Sequence, residues 1–188
     1  MSQIDIQKVI EDHEAVVHEL KKNCIPDIEE IAKVCCQAIK KENKILFCGN
    51  GGSAADSQHL AAEFVGRFLK ERKGLPAIAL TTDTSILTAI GNDYGYADVF
   101  RRQVEALAKP GDVLVGISTS GNSMNVVNAF EQAKKQNVTL VAFTGAKDSK
   151  MSTLADITLK VPSTFTAHIQ ECHIMVGHIL CTAVDEMY

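Results

Sequence analysis

Several features are missing from this 188-residue chain, and each absence limits what it can be. No apolar run approaches the roughly 20 residues that a membrane-spanning helix requires. Asp5, Glu11 and Asp12 stand where a secretory signal peptide carries basic and then apolar residues. The formal net charge of -4 gives no sign of a surface for nucleic acid. We therefore expect a cytoplasmic protein with neither a membrane nor a nucleic-acid partner.

The chain also lacks any Cys-x-x-Cys pair, the spacing typical of zinc ribbons and thiol redox sites. Its six cysteines are Cys24, Cys35, Cys36, Cys48, Cys172 and Cys181. Several fall inside predicted helices or strands, so we expect reduced thiols that act as small apolar residues. The length and the 46% hydrophobic content fit one ordinary globular domain.

The stretch 46–64 is predicted to form a strand, a glycine loop and a helix. Gly49, Gly51 and Gly52 allow a tight turn and a close approach of the backbone to a ligand. The N–H groups that begin the helix favour an anionic or electron-rich ligand. This loop has neither the Lys-Ser/Thr ending of the nucleotide P-loop nor the spacing of the dinucleotide fingerprint. A turn without a ligand is the alternative.

Strands and helices alternate along the rest of the chain. Two amphipathic helices at about 2–22 and 26–41 come first; strands follow at 44–48, 77–81, 113–117, 138–143 and 157–161, and helices at 84–89, 99–108, 124–136 and 165–187, with a polar loop at 91–96. This order predicts an α/β fold: a five-stranded parallel sheet of flavodoxin-like order in a three-layer sandwich. We expect a single domain over residues 1–188, with a helical pair at 1–42 and the α/β core at 43–188.

A second polar loop, Ser118-Thr119-Ser120-Gly121-Asn122-Ser123, follows the third strand and opens the next helix. Its hydroxyl and N–H groups suit a phosphate. Because the loop holds no Lys or Arg, we expect a modest anion such as a sugar phosphate. One such loop could be an ordinary capped turn. Two loops after two parallel strands favour a ligand site, since both open at the same edge of the sheet.

His59 and Glu63 lie four residues apart on one face of the helix behind the glycine loop. Such a pair is usually a surface ion pair, but this position favours catalysis. In the last helix, spacing alone favours Glu171 as the residue that shares a face with His178. The alternative for His178 is a buried structural histidine. His168 and His173 are expected at the surface or at an interface.

The characteristic features of the sequence are the two loops, the pair His59-x-x-x-Glu63, the stretch 91–95 and the pattern Gln170-Glu171-x-His173-x-x-x-x-His178. Together they resemble the sugar isomerase (SIS) domain family over essentially the whole chain. Within it, they are similar to the aldose–ketose isomerases of heptose phosphates. The resemblance implies conversion of sedoheptulose 7-phosphate to D-glycero-D-manno-heptose 7-phosphate through an enediol(ate). That reaction begins ADP- or GDP-heptose synthesis for lipopolysaccharide core or capsule. A non-catalytic SIS protein that senses a sugar phosphate or bridges partners, or an isomerase or epimerase of another phosphosugar, is the alternative.

The resemblance also implies residue roles. Glu63 would be the catalytic base and His178 its acid/base partner. The phosphate would be held by Ser118, Thr119, Ser120 and Ser123. Other substrate-binding residues would be Asn50, Gly51, Gly52, Ser53, Asn92 and Asp93, with Glu63 and Gln170. One zinc ion would be bound by His59, Glu63, Gln170 and His178.

Two points stay open from the sequence. Some relatives carry an acidic residue three positions before the glutamine, where this chain has Ala167, so the contribution of that carboxylate would be lost or supplied elsewhere. A zinc-bound Glu63 would be a poorer base, so zinc ligation and base catalysis compete.

The spacing of Gln170 and His178 indicates a shared site. Eight residues of helix separate them by about 12 Å along the axis, whereas zinc bonds to nitrogen or oxygen are about 2 Å long. One ion can hardly meet both from one straight helix. We therefore expect Gln170 and His178 of one site to come from different copies in a homo-oligomer, most simply a tetramer, with Glu63 and His178 also on different chains. The apolar faces of the first two helices would hold these copies together.

Overall fold

The computed structural model describes residues 4–188. Within that range the elements are α1 (Ile6–Asn23), α2 (Ile25–Lys40), β1 (Ile45–Gly49), α3 (Gly52–Val65), β2 (Ala77–Ala79), α4 (Thr84–Asp93), α5 (Arg101–Leu107), β3 (Val113–Ile117), α6 (Met124–Lys135), β4 (Thr139–Thr144), α7 (Lys150–Leu154), β5 (Ile157–Lys160) and α8 (Thr166–Asp185), with a 3-10 turn at Tyr96–Asp98. All strand pairs are parallel, in the order β2-β1-β3-β4-β5. The predicted flavodoxin-like sheet is therefore confirmed. The predicted start of the first helix at residue 2 lies outside the described residues.

Both faces of the sheet are covered, as β1 shows. Its side chains alternate: Ile45 and Phe47 pack in a core with α1, α2, α3 and α8, and Leu46 and Cys48 pack in a second core with α5, α6 and α7. All four are at most 1% exposed. A strand that is buried on both faces consists of consecutive apolar residues. Such a run made this strand predictable from the sequence. The three-layer sandwich is confirmed.

The first two helices differ in how deeply they are packed. α2 buries Ile28, Ile31 and several neighbours against α8 and the sheet. α1 buries only Leu20, while Ile6 and Ile10 remain exposed. α2 is therefore part of the core of this chain, and α1 leaves an apolar stripe without cover.

One local prediction was wrong, and one short helix was missed. Residues 91–93 end α4 instead of forming a loop, because Asp83 caps that helix by accepting the N–H of Ile86 and the 3-10 turn packs on it. The sequence also gave no sign of α7, which has only five residues. A capping box between Ser149 and Ser152 starts it, and five residues are too few for a periodic pattern to be recognised.

All six cysteines are free, and five of them are buried. Burial raises the pKa of Cys35, Cys48 and Cys181 to about 12, so these thiols stay protonated. The predicted role as apolar filling is confirmed for them. No helix within residues 4–188 combines the length and apolar character needed to cross a membrane.

Candidate active site

The two polar loops lie side by side because β1 and β3 are neighbours at the point where the strand order reverses. Gly49 at the end of β1 is level with Ile117 at the end of β3. A Cβ added to Gly49 would lie 2.8 Å from the Ile117 carbonyl oxygen and 2.7 Å from Ser53 Cβ, so only glycine fits there. Gly51 has φ of +56°, which also favours glycine. The predicted meeting of the loops at one sheet edge is confirmed.

The serine loop gathers its hydroxyl groups at the start of α6. Ser118 Oγ lies 3.0 Å from Ser123 Oγ and 3.4 Å from Ser120 Oγ. Ser118 is buried. A cavity of about 280 Å³ opens beside the loop, with Thr119, Ser120 and Lys147 in its lining. Clustered hydroxyl groups at a helix start are suited to binding phosphate, and Lys147 adds a positive charge that the loop itself lacks.

Asn50 in the glycine loop is held by two residues that the sequence did not single out. Asn50 and Asn125 exchange side-chain hydrogen bonds of 2.9 and 2.8 Å, and the Tyr96 hydroxyl donates to Asn50 Oδ1 at 3.0 Å. Asn125 is 3% exposed, since it lies on the first turn of α6. These bonds join the two loops and fix the orientation of the Asn50 amide. In the sequence, Asn125 is one polar residue near the start of a helix, a position that indicates no more than an ordinary cap.

Asn92 and Asp93, predicted to contact a sugar, lie on the last turn of α4. Asn92 Nδ2 donates to Asp93 Oδ1 at 2.8 Å, and both side chains are exposed. The contact that this segment makes with the glycine loop comes from Tyr96. The sugar-binding role of Asn92 and Asp93 thus stays a prediction.

His59, Glu63 and His178 come together within a single chain. His59 Nε2 lies 2.9 Å from His178 Nε2 and 3.6 Å from Glu63 Oε1. Phe68 stacks on the His178 ring, with centroids 5.5 Å apart and planes 17° apart. Between two neutral imidazoles, one ring nitrogen donates and the other accepts. The sequence predicted the His59–Glu63 pair, and the structure adds His178 from the same chain.

Gln170 lies elsewhere, at the other end of α3. A Cβ added to Gly52 would lie 2.5 Å from Gln170 Nε2, so the missing side chain leaves room for this amide. α8 runs alongside α3, as the contact of Gly177 with Leu60 further along the same two helices shows. Gly52 precedes His59 by seven helical residues, about 10 Å. The predicted separation of Gln170 from His178 is present in this chain.

The same helix geometry separates Glu63 from the loops of its own chain. Eleven helical residues from Gly52 to Glu63 span about 16 Å along α3. The glycine loop and Gln170 thus lie at one end of α3, and Glu63, His59 and His178 at the other. A single chain does not bring the predicted binding and catalytic residues to one point.

The zinc prediction can be tested against these positions. Two ligand atoms that each lie about 2 Å from one zinc ion are about 3 to 3.5 Å apart, and the His59–His178 and His59–Glu63 distances of 2.9 and 3.6 Å bracket that range. Within residues 4–188, no three His, Cys, Asp or Glu side chains are grouped so that they could hold a metal ion. His59, Glu63 and His178 supply nitrogen and oxygen donors of the kind that zinc binds, and a fourth donor from Gln170 would have to come from another copy. Zinc binding therefore stays a prediction.

Asp56 is a further acidic group on α3, one turn before His59, that the sequence did not single out. Burial raises the pKa of its carboxyl group, and the nearby His59 works against that rise. Its Oδ2 atom is buried without a hydrogen-bond partner in residues 4–188. Asp56 therefore places a second acidic side chain near His59, in the middle of α3.

The remaining polar residues of α8 face away from the contact between His59 and His178. Glu171, favoured by spacing alone, lies against His13 of α1, with Glu171 Oε2 and His13 Nδ1 2.8 Å apart. His173 was expected near the surface, which is wrong: it is fully buried, with Nε2 3.2 Å from the Thr144 carbonyl oxygen. His168 is also largely buried, between His13 and Phe165. α8 carries apolar residues around most of its circumference, so the sequence did not show which histidines point inward.

The strand order and the two loops define a SIS domain, and the family model described as SIS domain matches residues 9–145. The phosphoheptose isomerase of a Nitratiruptor species is 51% identical over 183 residues, 97% of this chain and 98% of that protein. That of Aquifex aeolicus is 58% identical over 160 residues, 85% of this chain and 84% of the other. The solved phosphoheptose isomerase of Neisseria gonorrhoeae is 44% identical and superposes with a TM-score of 0.91 over 96% of this chain and 97% of that one. The chain therefore belongs to the phosphoheptose isomerase family of SIS-domain proteins.

Proposed function

We propose that this protein isomerises sedoheptulose 7-phosphate to D-glycero-D-manno-heptose 7-phosphate in the cytoplasm, at the start of nucleotide-activated heptose synthesis. The observation that carries the proposal is the meeting of Glu63 and His178 at His59, in a chain of this family. A protein that only bound sugar phosphates would need the two loops but not this pair. The six free cysteines are consistent with a reducing compartment.

The reaction moves a proton between adjacent carbons of an open-chain sugar phosphate. Glu63 accepts the proton from the carbon beside the carbonyl, which gives an enediol(ate), and His178 moves protons on the oxygens. The partly buried carboxylate suits a base, and Phe68 and His59 hold the His178 imidazole in place. The serine loop grips the phosphate, with Asn50 orienting the sugar.

We propose that a zinc ion completes the site, held by His59, Glu63 and His178 together with Gln170. When bound, zinc would act as a Lewis acid toward the negative charge that develops on the substrate oxygens. The near contact of two imidazole nitrogens supports this proposal. Glu63 serves either as ligand or as free base, and a ligating carboxylate is the poorer base.

We further propose that the working form is a homo-oligomer, most simply a tetramer, in which sites form between chains. The separation of about 16 Å along α3 supports an arrangement in which the loops and Gln170 of one copy meet Glu63 of another. An apolar groove of about 300 Å³ between α1, α2 and α8 includes Ile25 and Ile179, which are 43% and 41% exposed in one chain. Surface of this kind is typical of protein contacts.

The decisive experiment is turnover of purified protein with a panel of ketose phosphates, with and without a chelator. We expect activity with sedoheptulose 7-phosphate, loss on chelation and recovery with zinc. Tight binding of a sugar phosphate without any turnover, under either condition, would favour the non-catalytic class. Preferred turnover of another ketose phosphate would change the substrate.

A further inference from the structure

A buried ion pair lies directly behind the proposed catalytic residues. Arg72 Nε donates to Asp185 Oδ1 at 2.7 Å, and the two side chains are 2% and 1% exposed. Arg72 belongs to the irregular segment 66–76 that follows α3, and Asp185 ends α8. Such a pair must be fully hydrogen-bonded, since an uncompensated buried charge is costly.

Most of the other polar contacts of Arg72 fix the end of α3. Its Nη2 donates to the Glu63 carbonyl oxygen and its Nη1 to the Phe64 carbonyl oxygen, both at 2.9 Å. Nη1 also reaches the carbonyl oxygens of Gly66 and Lys73 at 3.2 Å. The last carbonyl groups of a helix have no partner within the helix, and a cation there stabilises it. Arg72 therefore holds the backbone of Glu63 itself.

Asp185 fixes the other half of the pair. Its Oδ2 accepts the N–H groups of Leu69 and Lys70 at 2.6 and 2.9 Å. Burial alone would raise the pKa of Asp185, but these N–H groups and Arg72 outweigh it and lower that pKa. Leu69 follows Phe68, the residue stacked on His178. Asp185 also lies seven residues, two helical turns, after His178 on α8.

We propose that Arg72 and Asp185 are positioning residues, which set the Glu63 carboxylate and the His178 imidazole in register without touching the substrate. This inference deepens the proposed function and rests on it. The pair connects the end of α3 to the end of α8 through the segment that carries Phe68. A shift of either helix end would move Glu63 relative to His178, and small misplacements of reacting groups are expensive.

The chain offers a matched control. Asp112 is likewise 1% exposed, accepts the N–H groups of Lys44 and Lys109 and pairs with the Lys44 ammonium group. It lies before β3, at the opposite edge of the sheet from the two loops. Asp185→Asn and Asp112→Asn therefore remove the same kind of charge, one behind the proposed catalytic pair and one remote from it.

The experiment compares wild-type protein with Asp185→Asn, Arg72→Lys and Asp112→Asn. Thermal melting measures stability, and steady-state kinetics with sedoheptulose 7-phosphate give kcat, KM and the pH profile of kcat. The NMR shifts of the His178 ring protons report on the position of that ring. We expect similar losses of Tm in the two Asn variants. Only Asp185→Asn and Arg72→Lys should lose kcat, by about 10- to 100-fold with little change in KM, alter the pH profile and move the His178 resonances. Wild-type kcat, pH profile and His178 shifts in both variants, after correction for folded fraction, would overturn the positioning role.

One further variant keeps the test decisive. If Asp185→Asn and Arg72→Lys fail to fold, Phe68→Leu keeps both residues of the ion pair and an apolar side chain against the core, but removes the stacking on His178. A kcat and a pH profile of kcat equal to wild type in that variant would refute the proposed link through Phe68. Inactive wild-type protein would refute the proposed function, whereas the NMR comparison would still report on positioning.

Discussion

The Nε2 atoms of His59 and His178 lie 2.9 Å apart, although 119 residues of chain separate them. The contact joins α3, which starts in the glycine loop, to α8 near the end of the chain. It places Glu63 and His178 near the same ring nitrogen of His59, with Glu63 Oε1 3.6 Å and His178 Nε2 2.9 Å from His59 Nε2. The proposed base and acid/base partner thus belong to the same chain, and the expectation that they come from two copies is not supported by this geometry.

Replacing the proposed base tests the chemistry most directly. Glu63→Gln keeps the shape of the side chain but cannot accept a proton, so we expect kcat to fall by about 10²–10⁴-fold with an unchanged fold. Glu105→Gln removes a surface carboxylate of α5 that pairs with Arg102 and should stay active. Exchange of the substrate C–H proton with deuterium from solvent measures the proton-transfer step itself. Near-normal exchange in Glu63→Gln would remove Glu63 from the mechanism.

The serine loop should act on binding more than on chemistry. Because it grips a part of the substrate remote from the reacting carbons, Ser120→Ala and Ser123→Ala should raise KM with a smaller effect on kcat. Steady-state kinetics of both variants provide the measurement. Thr139→Ala, which removes a hydroxyl at the opposite end of the sheet, is the control. A pure kcat defect in either serine variant would contradict phosphate binding.

How far the sequence predicted this molecule depended on whether a feature is local. The strands, the glycine loops and every helix start except that of α7 could be recognised within a few residues, so both loops were found with Ser118 and Gly49 in the right places. The Asn50–Asn125 pair could not, because it joins residues 75 positions apart by tertiary packing alone. The Arg72–Asp185 pair was missed for the same reason.

The last helix shows the limit most clearly. Spacing favoured Glu171 there, whereas the structure pairs Glu171 with His13 and places Gln170 against Gly52. Only the family resemblance chose Gln170. When a helix is apolar around most of its surface, periodicity does not identify the side that faces a neighbour.

Acid should destabilise the fold through His173. Burial lowers the pKa of this histidine from 6.5 to about 4, so between those values the unfolded chain binds a proton that the folded chain does not. Above pH 6.5, His173 therefore does not lower the free energy of unfolding. As the pH drops from 6.5 toward 4, that free energy falls by about 3 kcal/mol. Melting curves measured across this range should show His173→Gln with a lower Tm at neutral pH but a flatter acid limb. The exposed His18→Gln is the control, and an unchanged acid limb in His173→Gln would assign the loss to other groups.

The sharing of sites between chains can be tested by mixing subunits. Glu63 and His178 lie together in one chain, whereas Gln170 lies with the glycine loop, about 10 Å along α3 from His59. Glu63→Gln and Gln170→Ala homo-oligomers should each be inactive. Refolded together in equal amounts, they should recover activity at about a quarter of the sites, where an intact loop end meets an intact Glu63 end from another copy. Glu63→Gln mixed with His178→Ala should recover nothing, because both residues are then supplied by the same end of one chain. Recovery in the second mixture, or none in the first despite verified mixed oligomers, would show that the sites are not divided in this way.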